Sequence, residues 1–434
     1  MKRSQKKHLN IAMIAYTEYL IDPRVRREAE CLADRGDNVD FLCLRQPKNA
    51  VDSKLEQWET IDGVHVCHLP MYKYQGGSSF AYLLSYIKFF FLAFWYINGL
   101  YFRKKYEVIH VNTMPDFLVF SAIIPRILGC KIILDMHDLT SDLYGLKFQF
   151  KSTKPLVWGL RLQERLSAAF AHAVMTVHEP YRQILISRGI PAKKVSVLMN
   201  TPDNKIFSLD DRPTGKLMSV SNVDNNSSAT ILYHGTLVER YGIQLIMQAI
   251  DLLRKLEPDL DVHMMIYGRG EYLPQLQALN RELRLEDKVY IHGKHVPMSE
   301  IPGIIAKSDM AVVPYIVSEF NQYALPNKLM EYLAMGTPVI VTRMRVIAEY
   351  FDNEMVVFFE SGNVADLAKA IAYLTRNPAK RRAMAQIAHQ RFVQKYSWAA
   401  MKLDYYKLVD TLAGRDPIAS QAPQNQHNQS VSIR

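Results

Sequence analysis

Cysteine is scarce and unpatterned in this chain. There are four in 434 residues, Cys31, Cys43, Cys67 and Cys130, with no CxxC pair among them. That excludes a disulfide-stapled scaffold and a cysteine-held zinc, and the four read as small buried hydrophobes in a reducing compartment. There is no zinc-ligand spacing, no RNP-like aromatic motif and no long basic run beyond the opening MKRSQKKH, so no nucleic acid partner is expected. No cleavable leader is expected in the opening segment: the apolar run LNIAMIAY is short, and Glu18, Asp22 and Arg24 stand where a cleavage site would be. What the chain does have is a globular balance of 49% hydrophobic and 22% charged residues, with a formal net charge of +10. Such an excess of cations suits a phosphorylated small molecule or an anionic lipid surface.

Strand and helix alternate throughout. In the first half IAMIAY, VDFLCL, EVIHVN, KIILDMH, AVMTVH and VSVLMN are strand-like, with helices expected from Asp22 and Pro23, from about Phe117 to Leu128, and around Ile184. In the second half TILYHG, VHMMIYG, VYIHG, MAVVPY, TPVIVT and MVVFF alternate with amphipathic helices such as IQLIMQAIDLLRKL. Repeated alternation of this kind implies parallel sheets covered on both faces. The expected fold class is α/β, two doubly wound Rossmann-like domains facing a cleft, at residues 1–207 and 230–384. A Ser/Asn-rich linker at 208–229 joins them, and a helix at 385–412 and a polar, aperiodic tail at 413–434, expected to be disordered, complete the chain.

Residues 80–102, FAYLLSYIKFFFLAFWYINGLYF, are numerous and apolar enough to span a bilayer. Lys88 interrupts them, however, and the strand-like VIHVN follows at once. The favoured reading is a helix lying in the membrane interface, its aromatics at headgroup depth and Arg103, Lys104 and Lys105 on anionic lipid. A membrane-spanning helix and an ordinary core helix are the alternatives.

Ligands of open α/β sheets bind beyond the C-terminal ends of the strands. After the first strand, Asp22 is placed to cap a helix whose start carries Pro23, Arg24, Arg26 and Arg27. Cations at a helix N-terminus oppose its dipole and require an anion nearby. His137 and Asp138 follow KIILDM and suit proton handling or a bond to a bound hydroxyl. In the second half YHGTLVERYG sets Gly235, Thr236, Arg240 and Gly242 in a strand-to-helix loop fit for a diphosphate. Gly268 and Gly270 of IYGRGEYL, and Gly293 of VYIHG, mark two more strand ends. The fourth is YALPNKLMEYLAMGTPVIV, with Pro326 at a helix start, Lys328 and Glu331 on one helix face, and Gly336 before a buried strand. Its free N–H groups suit phosphate, and its carboxylate suits ribose hydroxyls.

Taken together, DPRVRREAECLADRG, YEVIHVNTMPDFLVF, KIILDMHD, VLMN, HGTLVERYG and LPNKLMEYLAMGTPVIV resemble the family-4 retaining glycosyltransferases of the GT-B fold. The likeness covers roughly residues 9–410 and is nearest to bacterial enzymes of surface polysaccharides and their lipid-linked precursors. It implies a nucleotide diphosphate sugar held by the C-terminal domain, an acceptor taken by the N-terminal domain, and a last helix crossing back to the first domain. It also implies that Glu331 holds the donor ribose, that Leu325, Pro326 and Asn327 contact diphosphate and sugar, and that His137 lies beside the donor sugar. Arg240 lies in the loop that supplies cations to the phosphates. Two departures stand out. Tyr323 occupies the place of a frequent second glutamate, for which Glu319 is a candidate substitute. Thr236 and Tyr241 replace the usual loop Arg and Lys, leaving Arg240 and Lys328 to supply charge.

The expected activity is sugar transfer, with retention, from a nucleotide diphosphate sugar to a saccharide acceptor. The acceptor is expected on a lipid phosphate near Arg24 and Arg26, with Asp22 and Asp138 also on its side. No metal and no cofactor are expected, the donor being a co-substrate. The protein is expected in the cytoplasm, peripheral on the anionic inner face of the cell membrane. The rivals are a sugar-nucleotide epimerase of the same fold and a catalytically silent, membrane-associated partner protein. A dehydrogenase is disfavoured, because GRG lacks a third glycine and no acidic residue closes the following strand.

Overall fold

The computed structural model describes residues 8–45, 57–139, 154–209, 227–318 and 321–416. One unit, Met1–Leu198 with Lys402–Arg434, is built on an eight-stranded sheet. Its strands are β1 (Asn10–Ala15), β2 (Asn38–Arg45), β3 (Trp58–Ile61), β4 (Val64–Tyr72), β5 (Val108–Asn112), β6 (Lys131–Met136), β7 (Ala173–Thr176) and β8 (Val195–Val197). They lie in the order β3-β4-β2-β1-β5-β6-β7-β8, all neighbours parallel except β3 with β4. The central strands are unbroken apolar runs because both faces are covered: β1 is buried from Ile11 to Ala15 and sets Met13 beside Phe41 and His110.

The structure departs from the sequence expectation at two places here. β3 and β4 form an unforeseen hairpin, turned by Asp62 and Gly63 at φ of 46° and 80°, the positive values that a two-residue hairpin turn needs. The helix expected from Phe117 to Leu128 is a 3-10 stretch, Asp116–Ala122, followed by a short α-helix, Ile123–Ile127. Pro125 has no amide to donate and fits only a first turn, so the α-helix begins just before it.

Two helices position the features used below. Asp22 caps α1 (Pro23–Asp34), accepting from the amides of Arg24 and Val25 at 3.2 and 3.4 Å. α2 (Ser79–Lys104) buries Tyr86, Phe89, Ala93, Ile97 and Tyr101 in the core. Its other face leaves Phe80, Leu84, Ile87, Phe91, Trp95 and Phe102 exposed.

The second unit, Met199–Met401, carries a six-stranded parallel sheet: β9 (Ser228–His234), β10 (Asp261–Tyr267), β11 (Val289–Ile291), β12 (Met310–Val313), β13 (Val339–Thr342) and β14 (Val357–Phe359). The order is β11-β10-β9-β12-β13-β14, so the chain reverses its direction of travel between β9 and β12. The crevice beyond the C-terminal ends of two such strands is where doubly wound sheets bind ligands. Helices such as Ile243–Leu256, which buries Ile243, Ile246, Ala249, Ile250 and Leu253, seal the sheet.

The 385–412 segment is not a single helix. Pro378–Arg391 runs into a π-helical turn, Phe392–Tyr396, extended backbone at Ser397 breaks the path, and Trp398–Ala413 follows. From that last helix the Tyr405 hydroxyl lies 2.7 Å from His110 Nδ1, Tyr406 donates to the Cys31 carbonyl at 2.8 Å, and Asp410 meets Arg35 at 3.1 Å. The compact units divide at Leu198, not at 207. Residues 210–226 of the expected linker and 417–434 of the expected tail lie outside the described residues. All four cysteines are free and buried.

Candidate active site

On the first sheet, β6 carries Asp135 in the core and delivers His137 just past its C-terminal end. His137 Nε2 sits 2.8 Å from Asp135 Oδ2, and its amide donates to Thr113 Oγ1 at 3.3 Å. The His137 side chain is 18% exposed, so the ring is fixed from behind and open in front.

Arg24 does not reach outward. Its guanidinium grips Asp135 with Nη2 at 2.9 Å and Nε at 3.2 Å, lies 3.2 Å from Glu28, and donates to the Leu198 carbonyl at 2.9 Å. The anion required at this helix start is therefore the chain's own Asp135, which corrects the acceptor-side role expected of Arg24. Arg26 is likewise paired, with Glu30 and, at 2.7 Å, with Asp62. Asp22 spends a carboxylate oxygen on the helix cap, and Asp138 is exposed.

Burial alone would raise the Asp135 carboxyl, yet Arg24 and His137 hold it well below the usual carboxylate range. Burial pushes Glu28 well up against the pull of Arg24, with Asp135 adding to the rise. Burial also takes His110 down to about 4, so it is neutral at pH 7. Glu28, His110 and Asp135 each bring a potential metal-ligand atom within 4.8 Å of the others. The Arg24 guanidinium already lies against both carboxylates, so the cluster is a buried ion-pair network.

On the second sheet, aromatic side chains surround a cation beside the point where the strand order reverses. Lys328, in the first turn of the helix Asn327–Ala334, turns inward and donates to the Tyr233 hydroxyl at 2.7 Å. Its ammonium lies 4.0, 5.0 and 5.4 Å from the ring centres of Tyr233, Tyr241 and Tyr315. Tyr241 and Tyr315 stack with centres 4.4 Å apart. Gly235 lies against the same group, since a Cβ there would come within 3.1 Å of Nζ. Burial takes Lys328 down to about 7, against the opposing pull of Glu331. Glu331, one turn along, lies 3.2 Å from His234 Nε2. Burial, and then Lys328, bring His234 down to about 3, so it is neutral. The His234 amide donates to the Tyr332 hydroxyl at 3.1 Å.

The glycines at these strand ends have a packing job. A Cβ on Gly268 would stand 1.8 Å from the Gly235 carbonyl oxygen, and one on Gly270 would stand 2.0 Å from that of Leu237. Glycine therefore lets two strand-end loops touch. The Gly235 amide donates to the Tyr267 carbonyl at 2.9 Å, so it is not available to a diphosphate, which corrects that expectation. Thr236 and Arg240 are exposed on the loop, and Gly293 packs against Leu273. Leu325 is half-buried, Pro326 is the buried residue before the helix, and exposed Asn327 accepts from Asn200 at 3.2 Å. The Tyr323 hydroxyl accepts from Arg345 at 3.2 Å. Glu319 lies outside the described residues. Sequence reasoning missed Asp135, Tyr233, His234, Tyr315 and Arg345. Aromatics at the ends of both TILYHG and MAVVPY were the available signal for the cage.

Two Rossmann-like parallel-sheet units, the second carrying a cation and a carboxylate on the helix beside its strand-order reversal, define a GT-B architecture. Residues 21–201 match the family described as "Glycosyl transferase 4-like domain" and residues 228–377 that described as "Glycosyl transferases group 1". The chain belongs to the family-4 glycosyltransferases of the GT-B fold. Among its relatives is the chitobiosyldiphosphodolichol beta-mannosyltransferase of Debaryomyces hansenii, 26% identical over 50% of this chain and 48% of that protein. Another is the O-antigen biosynthesis glycosyltransferase WclY of Escherichia coli, 23% identical over 71% of this chain and 80% of that one. Anabaena HepE, solved in complex with UDP and glucose, shares the fold with a TM-score of 0.62 at 15% identity, covering 93% of this chain and 100% of that one. The chain spans about half the length of the first curated relatives it matches.

Proposed function

We propose that this protein is a retaining glycosyltransferase that moves a sugar from a nucleotide diphosphate sugar to a lipid-linked saccharide acceptor, in the synthesis of a surface polysaccharide or glycoconjugate. The observation that carries the reading is the Lys328 ammonium set against Gly235, with the Glu331 carboxylate one turn further along the same helix. A cation at a helix start favours a diphosphate, and a nearby carboxylate accepts hydrogen bonds from ribose hydroxyls. The UDP and glucose in HepE, and the lipid diphosphate in the name of the Debaryomyces relative, agree with it.

Charge grows on the departing nucleoside diphosphate as the sugar gains oxocarbenium character. Lys328, Arg240 and the Leu325 and Asn327 amides, on either side of Pro326, stabilise that charge, and one preorganised donor is commonly worth about 3–4 kcal/mol. The acceptor hydroxyl attacks from the leaving-group side and gives its proton to the departing phosphate oxygen. His137, its ring fixed by Asp135, is the proton-handling side chain that the first unit offers.

The protein is peripheral on the inner face of the cell membrane in this reading. α2 has 26 residues and is apolar enough to cross a bilayer, but its buried face belongs to the core, which leaves only the outer stripe for lipid. Lys104 is tied to Asp40 at 2.7 Å, so Arg103 and Lys105 are the cations left for headgroups.

The test is incubation with UDP-, GDP- and ADP-sugars, alone and with free or lipid-linked saccharides. A glycoside with the donor's anomeric configuration, formed only when acceptor is present, is expected. An isomerised sugar nucleotide from donor alone would mark an epimerase, and donor binding without turnover on any acceptor would mark a silent partner.

A further inference from the structure

With Arg24 and Arg26 engaged in ion pairs, the cations open to an acceptor phosphate on the first unit lie elsewhere. β4 runs parallel to β2, and β2 to β1, so β4 ends at Tyr72 on the same sheet edge as β1. This is the ligand-binding edge of the sheet. The chain leaving β4 and the first half of α2 border an open cavity of about 550 Å³, lined among others by Met71, Tyr72, Lys73, Tyr74, Leu84 and Lys88. Its wall is built: the Tyr16 hydroxyl meets Ser85 Oγ at 2.9 Å and accepts from the Tyr74 amide at 3.4 Å.

The lining contains two cations and no acid. Lys73 and Lys88 are exposed, and neither has an acidic partner among the described residues. Such a cavity favours an anion. One of its walls favours hydrocarbon, because Leu84, 49% exposed, is followed on the same helix face by Ile87, Phe91 and Trp95. At the helical rise these four span about 16 Å. A phosphate at one end and a strip of apolar and aromatic side chains leading away match an amphiphile, head in the cavity and tail along the helix.

We propose that this cavity binds the phosphate or diphosphate of a lipid-linked acceptor, with the lipid chain lying along the α2 stripe. The inference rests on the transferase reading for the word acceptor, but the binding itself can be measured apart from it.

The probe is dodecyl phosphate below its micelle concentration, titrated calorimetrically, with inorganic phosphate and dodecanol as controls. One saturable site is expected, with both controls at least tenfold weaker. Lys73→Ala with Lys88→Ala should weaken dodecyl phosphate at least tenfold while leaving UDP-glucose binding, the thermal melt and sedimentation with anionic vesicles unchanged. Wild-type affinity in that double variant overturns the proposal. So does a loss of vesicle binding in step with the loss of dodecyl phosphate, because the lysines would then serve the bulk membrane. A protein that turns over no nucleotide sugar yet binds dodecyl phosphate through these lysines keeps the cavity and sinks the transferase reading.

Discussion

The Lys328 ammonium lies 2.7 Å from the Tyr233 hydroxyl oxygen and 4.0 Å from the centre of the same ring. One tyrosine thus offers a single cation both its oxygen and its π face. Neutral partners of this kind hold a cation without cancelling its charge, so the charge stays available to a mobile anion.

Lys328 should make donor binding pH-dependent. In the unliganded protein burial brings it down to about 7, so it is charged below that pH and neutral above it. Of the titratable groups facing it, His234 stays neutral and Glu331 supplies a carboxylate. UDP-glucose has no phosphate proton that titrates near neutrality. Its dissociation constant should rise up to tenfold per unit above pH 7, with proton uptake on binding. Lys328→Arg should flatten the profile and Lys328→Met should weaken binding at every pH, as calorimetry from pH 6 to 9 would read. The same depressed value means that this group's contribution to unliganded stability falls as pH drops from 10.5 to about 7, because the unfolded lysine takes its proton first.

Glu331→Ala should raise the donor dissociation constant by about 10- to 100-fold, the loss of a hydrogen bond to a charged group being worth roughly 1.5–3 kcal/mol. Glu331→Gln should keep part of the affinity, and both variants should melt within a few degrees of wild type. Wild-type turnover in Glu331→Ala would place the donor elsewhere.

His137→Ala should lower kcat more than it weakens donor binding, since the ring lies at the strand end, partly exposed, and not in the core. The comparison is steady-state turnover against calorimetric donor affinity. An unchanged kcat with every acceptor removes His137 from the mechanism.

Arg24→Ala should act on stability. It strands Asp135 without its buried partner, a loss of about 3–5 kcal/mol in urea denaturation. If Arg24→Ala instead folds normally and only its acceptor KM rises, the guanidinium has an external partner after all.

Phe91→Glu with Trp95→Glu should release the protein from anionic vesicles in flotation assays while leaving donor binding alone, because both side chains are exposed. High salt should release part of the wild type through screening of Arg103 and Lys105. A wild type that never floats with anionic vesicles at low salt would make the stripe irrelevant to membranes.

Much of the fold was legible because its signal is local. Runs such as IAMIAY and TPVIVT announce strands buried on both faces, and Asp22 followed by Pro23 announces a helix start, since each rests on neighbours in sequence. The hairpin at Asp62 and Gly63 carried an equally local signal, which was passed over. The placement of candidate site residues was legible only where it rests on sequence neighbours. Lys328 and Glu331 share a helix and could be paired on spacing alone. Arg24 and Asp135 are 111 positions apart, and only the sheet brings them together. The same holds for the tyrosines around Lys328, gathered from three separate loops and strand ends, and for the glycines, whose tight approach depends on which loops become neighbours.

The unit that opens the chain is also the one that closes it, with Tyr405, Tyr406 and Asp410 arriving only after residues 199–401 have been made. At about 5–20 residues per second, those roughly 200 intervening residues keep the ribosome busy for some 10–40 s. Throughout that interval His110 lacks its hydroxyl partner and Arg35, already paired with Asp37, lacks Asp410. A transcript cut short before Trp398 therefore leaves the earliest-made domain unfinished while the later one is nearly whole. The last helix thus ties completion of the first unit to synthesis of the second.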